Sequence, residues 1–358
     1  MKSRTSIPLN VIKSICENSP PSAPLSVNIQ ITNQCNLRCQ FCGYHSFLNK
    51  TASLDGHVPA ARLIQVIDEL AEMGTKDITI CAKGEPSCHP KFFDIINAIK
   101  KHPMSLDIYT NLSAKSPSSM KAFIKADRLI INLSAIDEES YKKIHSPQAQ
   151  GTFDQVLKNI TSINKIGARK KIPELEICYI ITRNNFRAIG KAIALAASLG
   201  VQAIRFRNMH TEKYTKSLVL NKAELKELLL IILHLIKKPT PLQTNLRDLL
   251  QEIMSHQKTR APFDHCFVGW FSLALDSRGT LSFCCQHMYA RLGNWEKDSI
   301  RDIWAGKTAA NYRKLAKDHF HHQKIFGKYC HFCPYASTNA QIEASLYGGT
   351  KKTPIPKA

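Results

Sequence analysis

The sequence predicts an α/β protein: a parallel sheet flanked by helices, followed by a smaller cysteine-rich α+β domain. Three observations carry this. Apolar residues alternate between strand and helix periodicity from Val27 to Phe206. That rhythm stops after about residue 215. The twelve cysteines gather mainly in two groups, one just after the first strand and one beyond residue 265.

The elements follow in order. Residues 1–22 are polar, end in Ser19-Pro20-Pro21-Ser22, and read as a loosely ordered lead. Val27, Ile29 and Ile31 alternate as a strand, and Leu63, Val66, Ile67, Leu70 and Met73 recur at helical spacing. Ile78 to Cys81 is a short buried strand, and Pro90 starts a helix through Ile99. Strand 106–109 precedes helix 115–126, strand 129–133 precedes helix 153–166, and strand 175–181 precedes helix 186–199, closed by Gly200. Strand 201–206 completes the set. An open doubly wound sheet and a barrel both satisfy this alternation. Either places chemistry at the C-terminal ends of the strands. Residues 222–237 form an apolar helix capped by Asn221, and 238–262 read as connector. The expected division is a lead over 1–22, a core over 23–215, a helical connector over 216–262, a Cys-rich domain over 263–340 and a basic tail over 341–358.

Composition excludes several classes. Hydrophobic residues make up 44% and charged residues 22%, an ordinary globular balance. The longest apolar run, Leu228 to Leu233, is too short for a membrane span, and no apolar signal core opens the chain. A cytoplasmic protein is the expectation. The charge is unusual: 49 Lys+Arg against 28 Asp+Glu gives +21. Nucleic acid, anionic substrates and acidic protein partners are the three classes this favours.

Cys35-Asn-Leu-Arg-Cys39-Gln-Phe-Cys42 is a C-x3-C-x2-C spacing a few residues beyond the first strand. Three thiolates bind three corners of a cubic iron–sulfur cluster and leave one iron without a protein ligand. A closed zinc site would have to recruit a fourth ligand such as His45.

On these cysteines the chain resembles the radical S-adenosylmethionine (SAM) enzymes over about residues 25–215. The resemblance implies a partial (β/α)6 barrel and a [4Fe–4S] cluster on Cys35, Cys39 and Cys42, whose open iron chelates SAM. It implies reductive cleavage of SAM to a 5′-deoxyadenosyl radical that abstracts hydrogen from a substrate. Ala82-Lys83-Gly84-Glu85-Pro86 looks like the family's Gly-Gly-Glu segment, with Lys83 where Gly is usual. Gly84 and Glu85 would then meet the SAM ammonium, Phe41 the adenine, and Asn111 and Ser134 would line the SAM pocket. A turn-capping role competes for the last two. Arg205 and Arg207, at the end of the sixth strand, face the expected site as candidates for an anionic or polyhydroxy substrate, with a surface role as the alternative.

In the second group, Cys266, Cys284 and the pair Cys330/Cys333 offer four thiolates, with Gly279 at the turn of a predicted hairpin over 272–284. Four thiolates complete a set for zinc or iron–sulfur, and taken alone this one favours zinc. Together with Leu292-Gly-Asn-Trp295 and Ile300-Arg-Asp-Ile-Trp304, it resembles the SPASM module in its shortened "twitch" form, over a stretch reaching about residue 336. That implies one auxiliary [4Fe–4S] cluster on Cys266, Cys284, Cys330 and Cys333, with Cys285 an alternative to Cys284. Cys16, Cys81, Cys88 and Cys178 are left without a role.

The resemblance implies an oxidoreductase reduced by an acidic flavodoxin or ferredoxin. Residues 307–328, with six Lys/Arg, three His and Asp318 as the single acid, are its candidate dock; a solvated helix face is the plainer reading. With 34 residues before Cys35, the expected substrate is a small polar, carbohydrate-like metabolite. A peptide substrate is the alternative. RNA modification and a non-catalytic metal scaffold are the rivals from other classes, and no membrane partner is expected.

Overall fold

The computed structural model describes residues 7–49, 56–81, 83–146, 151–167, 173–209, 211–255, 263–285, 290–318, 330 and 333–348. Ala82, part of the connector, residues 319–328 of the basic stretch and the end of the tail lie outside them. Two compact units divide the chain: residues 29–64 with 78–257, and residues 1–28 with 65–77 and 258–358.

Parallel strands run in sequence order: β1 (Ser26–Ile29) and β2 (Asp77–Ile80), which straddle the division between the units, then β3 (Ser105–Thr110), β4 (Arg128–Asn132), β5 (Glu174–Ile181), β6 (Ala203–Asn208) and β7 (Gln243–Thr244) in the larger unit. β7 pairs in parallel with β6 and ends the run, so the sheet is open. Helices α1 to α9 are Leu9–Cys16, Ala60–Met73, Phe92–Lys100, Pro117–Ile124, Glu138–His145, Thr152–Gly167, Ile189–Ser198, Lys222–Ile236 and Leu246–Ser255, of which α1 and most of α2 belong to the smaller unit. Each crossover lays an apolar helix face on the sheet. Local chemistry sets the ends. Gly200 ends the turn after α7 at φ +67°, a conformation glycine adopts without strain. Asn221 and Glu224 form a reciprocal capping box on α8, at 2.9 and 2.7 Å. The sequence did not point to β7, α5 or α9.

The sheet faces differ in chemistry. Leu106, Ile108, Leu129, Ile131, Leu175, Ile177, Ile204 and Phe206 are buried on one face. The alternate residues of β3 to β6 include Asp107, Tyr109, Arg128, Glu176, Cys178, Arg205 and Arg207. Strand pleating keeps these polar groups together on the other face.

The smaller unit holds the hairpin of β8 (Ser272–Leu275) and β9 (Thr280–Ser282), to which β10 (Gly293–Asn294) adds in antiparallel register. Gly279 takes φ +80° in its turn, and Asp276 Oδ1 accepts from the amides of Arg278 and Thr280. Helices α10 (Ile300–Ala305), α11 (Lys307–Asp318) and α12 (Ala336–Tyr347) follow. Residues 7–22 of the N-terminal lead are ordered here, against expectation. Trp270 Nε1 donates to Ser19 O at 3.0 Å, Trp304 Nε1 to Pro21 O at 2.7 Å, and Lys317 Nζ to Ile15 O at 2.9 Å. Buried indoles need acceptors, and the lead's backbone supplies them. No described helix is long and apolar enough to cross a membrane.

Candidate active site

The loop after β1 carries Cys35, Cys39 and Cys42, and chain beyond four other strands holds it. After β3, Asn111 Nδ2 donates to Asn36 Oδ1 at 2.9 Å, and Asn36 Nδ2 donates to Ser113 Oγ at 2.8 Å. After β4, the last turn of α5 accepts the Gln40 amide on Ile144 O at 2.8 Å and the Arg38 amide on His145 O at 3.2 Å. After β5, Asn184 Nδ2 donates to Gln40 Oε1 at 2.9 Å. After β6, the Tyr214 hydroxyl donates to Gly43 O at 2.8 Å.

Each thiol sulfur receives an N–H. Cys35 Sγ accepts from the Leu37 amide at 3.5 Å, and Cys42 Sγ from those of His45 and Tyr44 at 3.2 and 3.4 Å. Cys39 Sγ lies 3.2 Å from His145 Nδ1. The Ser134 amide donates to His145 Nε2 at 3.0 Å, so Nε2 is the acceptor and the ring proton sits on Nδ1, aimed at sulfur. Burial holds this imidazole neutral, pulling its pKa down to about 3. His145 stacks on Tyr141 at 4.4 Å, and the half-buried Phe41 meets its edge at 5.8 Å.

Burial pushes the Cys35 thiol up to about 12, with Glu85, Cys42 and Cys88 adding negative charge nearby. Cys39 and Cys42 are raised for the same leading reason. Such thiols become thiolates when a cation enters among them. Among the described residues no three ligand side chains converge on a single metal ion. The donor set fits a polynuclear cluster, in which each iron takes its own thiolate. Cys88, given no role by its sequence position, stands within electrostatic reach of Cys35.

Glu85 is buried opposite this loop. Its Oε1 accepts from Thr110 Oγ1 at 2.7 Å and from the Ser87 hydroxyl and amide at 2.8 and 3.2 Å. Oε2 accepts the Asn111 amide at 2.7 Å. A carboxylate offers about four lone-pair sites, so Oε2 keeps capacity for one more donor. Gly84 is sterically required: a Cβ there would stand 2.0 Å from Gln34 O. Lys83 has room, with its ammonium 5.4 Å from the Tyr44 ring centroid. Ser134 is fully buried, and its hydroxyl accepts the Ile180 amide at 2.9 Å. It therefore anchors strands and His145 within the protein. Asn111, through Asn36, holds the cysteine loop.

In the smaller unit, Cys266 lies within electrostatic reach of Cys333 and Cys330, and Cys333 within reach of Cys330 and Cys285. Cys284 and Cys285 both act on the Tyr335 hydroxyl. That hydroxyl also bonds Asn28 Nδ2 at 2.8 Å and Ser272 Oγ at 3.0 Å. Burial pushes Cys333 up to about 12 and Cys330 up to about 11. Asn339 caps the site, its Nδ2 4.0 Å from Cys266 Sγ and its Oδ1 accepting the Phe267 amide at 2.8 Å. Buried thiols gathered this way fit an iron–sulfur cluster or zinc.

Comparison with known families decides between them. The radical SAM superfamily matches residues 29–196, and the SPASM iron–sulfur cluster-binding domain matches residues 266–334. The chain belongs to the radical SAM superfamily. Its cofactors are SAM and [4Fe–4S] clusters. A tungsten-containing aldehyde ferredoxin oxidoreductase cofactor-modifying protein from Pyrococcus furiosus is 22% identical over 185 residues, 51% of this chain and 50% of the relative. The mycofactocin maturase MftC of Mycobacterium tuberculosis is 23% identical over 179 residues, 50% of this chain and 43% of the relative. This radical SAM chain spans about half the length of the curated relatives it matches. Streptococcus suis SuiB bound to SAM superposes with TM-score 0.65 at 14% identity, covering 92% of this chain and 77% of SuiB. Native anSMEcpe with bound SAM gives 0.61 at 18%, covering 86% and 88%. At these identities the likeness is one of fold.

Proposed function

We propose that this chain is a radical SAM oxidoreductase that abstracts hydrogen from an anionic substrate, with a peptide-borne residue as the first class to test. The observation that carries the reading is the three-thiol loop facing buried Glu85, each sulfur supplied with an N–H and Oε2 with capacity for one more donor. The bound groups supply the hard chemistry: reductive SAM cleavage for hydrogen abstraction, and an auxiliary acceptor for the substrate's second electron.

This chain's residues do the rest. Cys35, Cys39 and Cys42 hold one cluster and leave one metal corner open. Glu85 Oε2 accepts the SAM ammonium, and Gly84 brings the backbone close enough. Phe41, beside His145, offers an apolar edge for the adenine. Cys266, Cys330, Cys333 and one of Cys284 or Cys285 hold a single auxiliary cluster.

Proteins of similar fold support the peptide class. SuiB has been solved with its precursor peptide SuiA, and anSMEcpe with bound peptides. A carbohydrate-like substrate has no such support. An acidic flavodoxin or ferredoxin fits the +21 charge as electron donor. On α11, Arg313 is buried and Lys317 is tied to Ile15 and Asn18, which leaves Lys307 and Lys314 exposed toward such a partner. Twelve cysteines, none in a disulfide, fit a reducing compartment such as the cytoplasm.

The test is anaerobic reconstitution with iron and sulfide, then dithionite and SAM. Formation of 5′-deoxyadenosine is expected, and its loss in Cys39→Ala. Wild-type protein that binds a cluster and leaves SAM intact overturns the reading.

A further inference from the structure

We propose that Arg207 and Tyr109 form an oxyanion-binding subsite on the polar face of the parallel sheet, which grips a carboxylate or phosphate group of the substrate. This rests on the radical SAM reading above and gives its substrate a chemical handle.

The argument is one of charge balance along the strands. Asp107 Oδ2 accepts from Arg128 Nε at 3.1 Å and from its Nη2. Arg128 Nη1 lies 3.7 Å from Glu176 Oε2, which also accepts from Arg205 Nε at 2.9 Å. Two carboxylates and two guanidiniums therefore neutralise one another in a continuous chain across β3, β4, β5 and β6. Of the two arginines that the sequence analysis marked for substrate, Arg205 is spent inside the protein.

Arg207 is not. It lies two residues further toward the C-terminal end of β6, in register with Ile180, on the same face as Arg205. No carboxylate lies within ion-pair distance of it among the described residues, and its Nε is buried with no acceptor. Its side-chain hydrogen-bonding partner is the Cys178 thiol, and Tyr109 and Glu176 are its other charged or ionisable neighbours. Tyr109 is on the same face, in register with Ile130 and through it with Glu176. Its hydroxyl forms no hydrogen bond among the described residues, and burial keeps it protonated.

A guanidinium with an unsatisfied Nε and a phenol whose hydroxyl makes no hydrogen bond among the described residues thus lie within electrostatic reach of one another, on the face where parallel α/β sheets place their ligands. Leaving a buried guanidinium N–H without an acceptor is unfavourable, and a guest oxyanion at ion-pair distance relieves it. Arginine's fork matches a carboxylate or phosphate with two parallel N–H donors, and the phenol adds a third.

The experiment uses the full, anaerobically reconstituted chain and two probes, radiolabelled glutarate and inorganic phosphate, in equilibrium dialysis with SAM present. Saturable binding of one probe is expected, weakened about tenfold or more in Arg207→Gln, less in Arg207→Lys, and several-fold in Tyr109→Phe. Preference for glutarate assigns a carboxylate, as on an acidic peptide residue; preference for phosphate assigns a phosphorylated metabolite. Binding of neither probe by wild type, or equal binding by wild type and Arg207→Gln, overturns the subsite. If SAM affinity falls in parallel in Arg207→Gln and Arg207→Lys, the arginine serves the cofactor's carboxylate and the proposal also fails. SAM cleavage by wild type, scored separately, tells failure of the subsite from failure of the radical SAM reading.

Discussion

His145 Nδ1 points its proton at Cys39 Sγ from 3.2 Å, and the Ser134 amide on Nε2 fixes that tautomer. Cys35 and Cys42 draw their donors from their own loop's backbone; Cys39 depends on a side chain from the end of α5. A hydrogen bond to a ligand sulfur favours the reduced, more negative cluster. His145→Phe is therefore expected to lower the midpoint potential by about 60 mV, a tenfold shift in the oxidised-to-reduced ratio for one electron. His145→Asn, which keeps a donor near the Nδ1 position, is expected to restore part of it. Redox titration monitored by electron paramagnetic resonance measures both, and an unchanged potential in the Phe variant contradicts the assignment.

Gly84 supplies a second prediction. A methyl group there would press on the Gln34 carbonyl and on the Asn33 backbone, at 2.0 to 2.7 Å. That contact zips the Glu85 turn to the start of the cysteine loop, with the Glu85 amide donating to Gln34 O at 2.8 Å. Gly84→Ala must move backbone, not a flexible side chain. Its SAM affinity is expected to fall more than tenfold, while Lys83→Ala stays within about threefold; calorimetry with reconstituted protein measures both.

The sheet and the two cysteine groups were legible because they repeat or cluster in the sequence: apolar alternation at Leu175–Ile181, C-x3-C-x2-C at Cys35. What was not legible is long-range. His145 lies 106 residues from Cys39 and Tyr214 171 from Gly43; each is an ordinary residue until the fold closes. α1 went unread because its stability comes from tertiary partners: Lys317 on its last turn, and the Trp270 and Trp304 indoles on the chain that follows it. At eight residues it is too short to be stable as a helix alone. Conversely, Ser134 and Arg205 sat at strand ends where ligands bind, yet the structure spends both on internal bonds.

Cys88 tests whether the cluster's fourth corner is open. Its thiol, raised to about 11 by burial with Glu85 adding, stands within electrostatic reach of Cys35. If Cys35, Cys39 and Cys42 are the whole ligand set, Cys88→Ser keeps wild-type iron content and SAM cleavage within about twofold. Cys35→Ser loses about four irons per chain. Loss of iron in Cys88→Ser instead would make it a fourth ligand and close the corner on which SAM binding depends.

The auxiliary cysteines can be separated from the first site by what each loss spares. Cys333 lies within electrostatic reach of Cys330 and Cys285, and Cys266 within reach of Cys333 and Cys330. All belong to the unit that lacks the Cys35 loop. Removing one ligand of a four-thiolate cluster should empty that site alone, so Cys330→Ala and Cys333→Ala are each expected to lose about four irons. Both should still form 5′-deoxyadenosine, uncoupled from substrate product, because the second electron has no acceptor. Cys284→Ser and Cys285→Ser then divide: the ligand's variant follows Cys330→Ala, and the other keeps full iron content. Iron analysis and product assays on the four variants decide it. Product formation by Cys330→Ala at wild-type rates would mean that the auxiliary cluster takes no part in turnover.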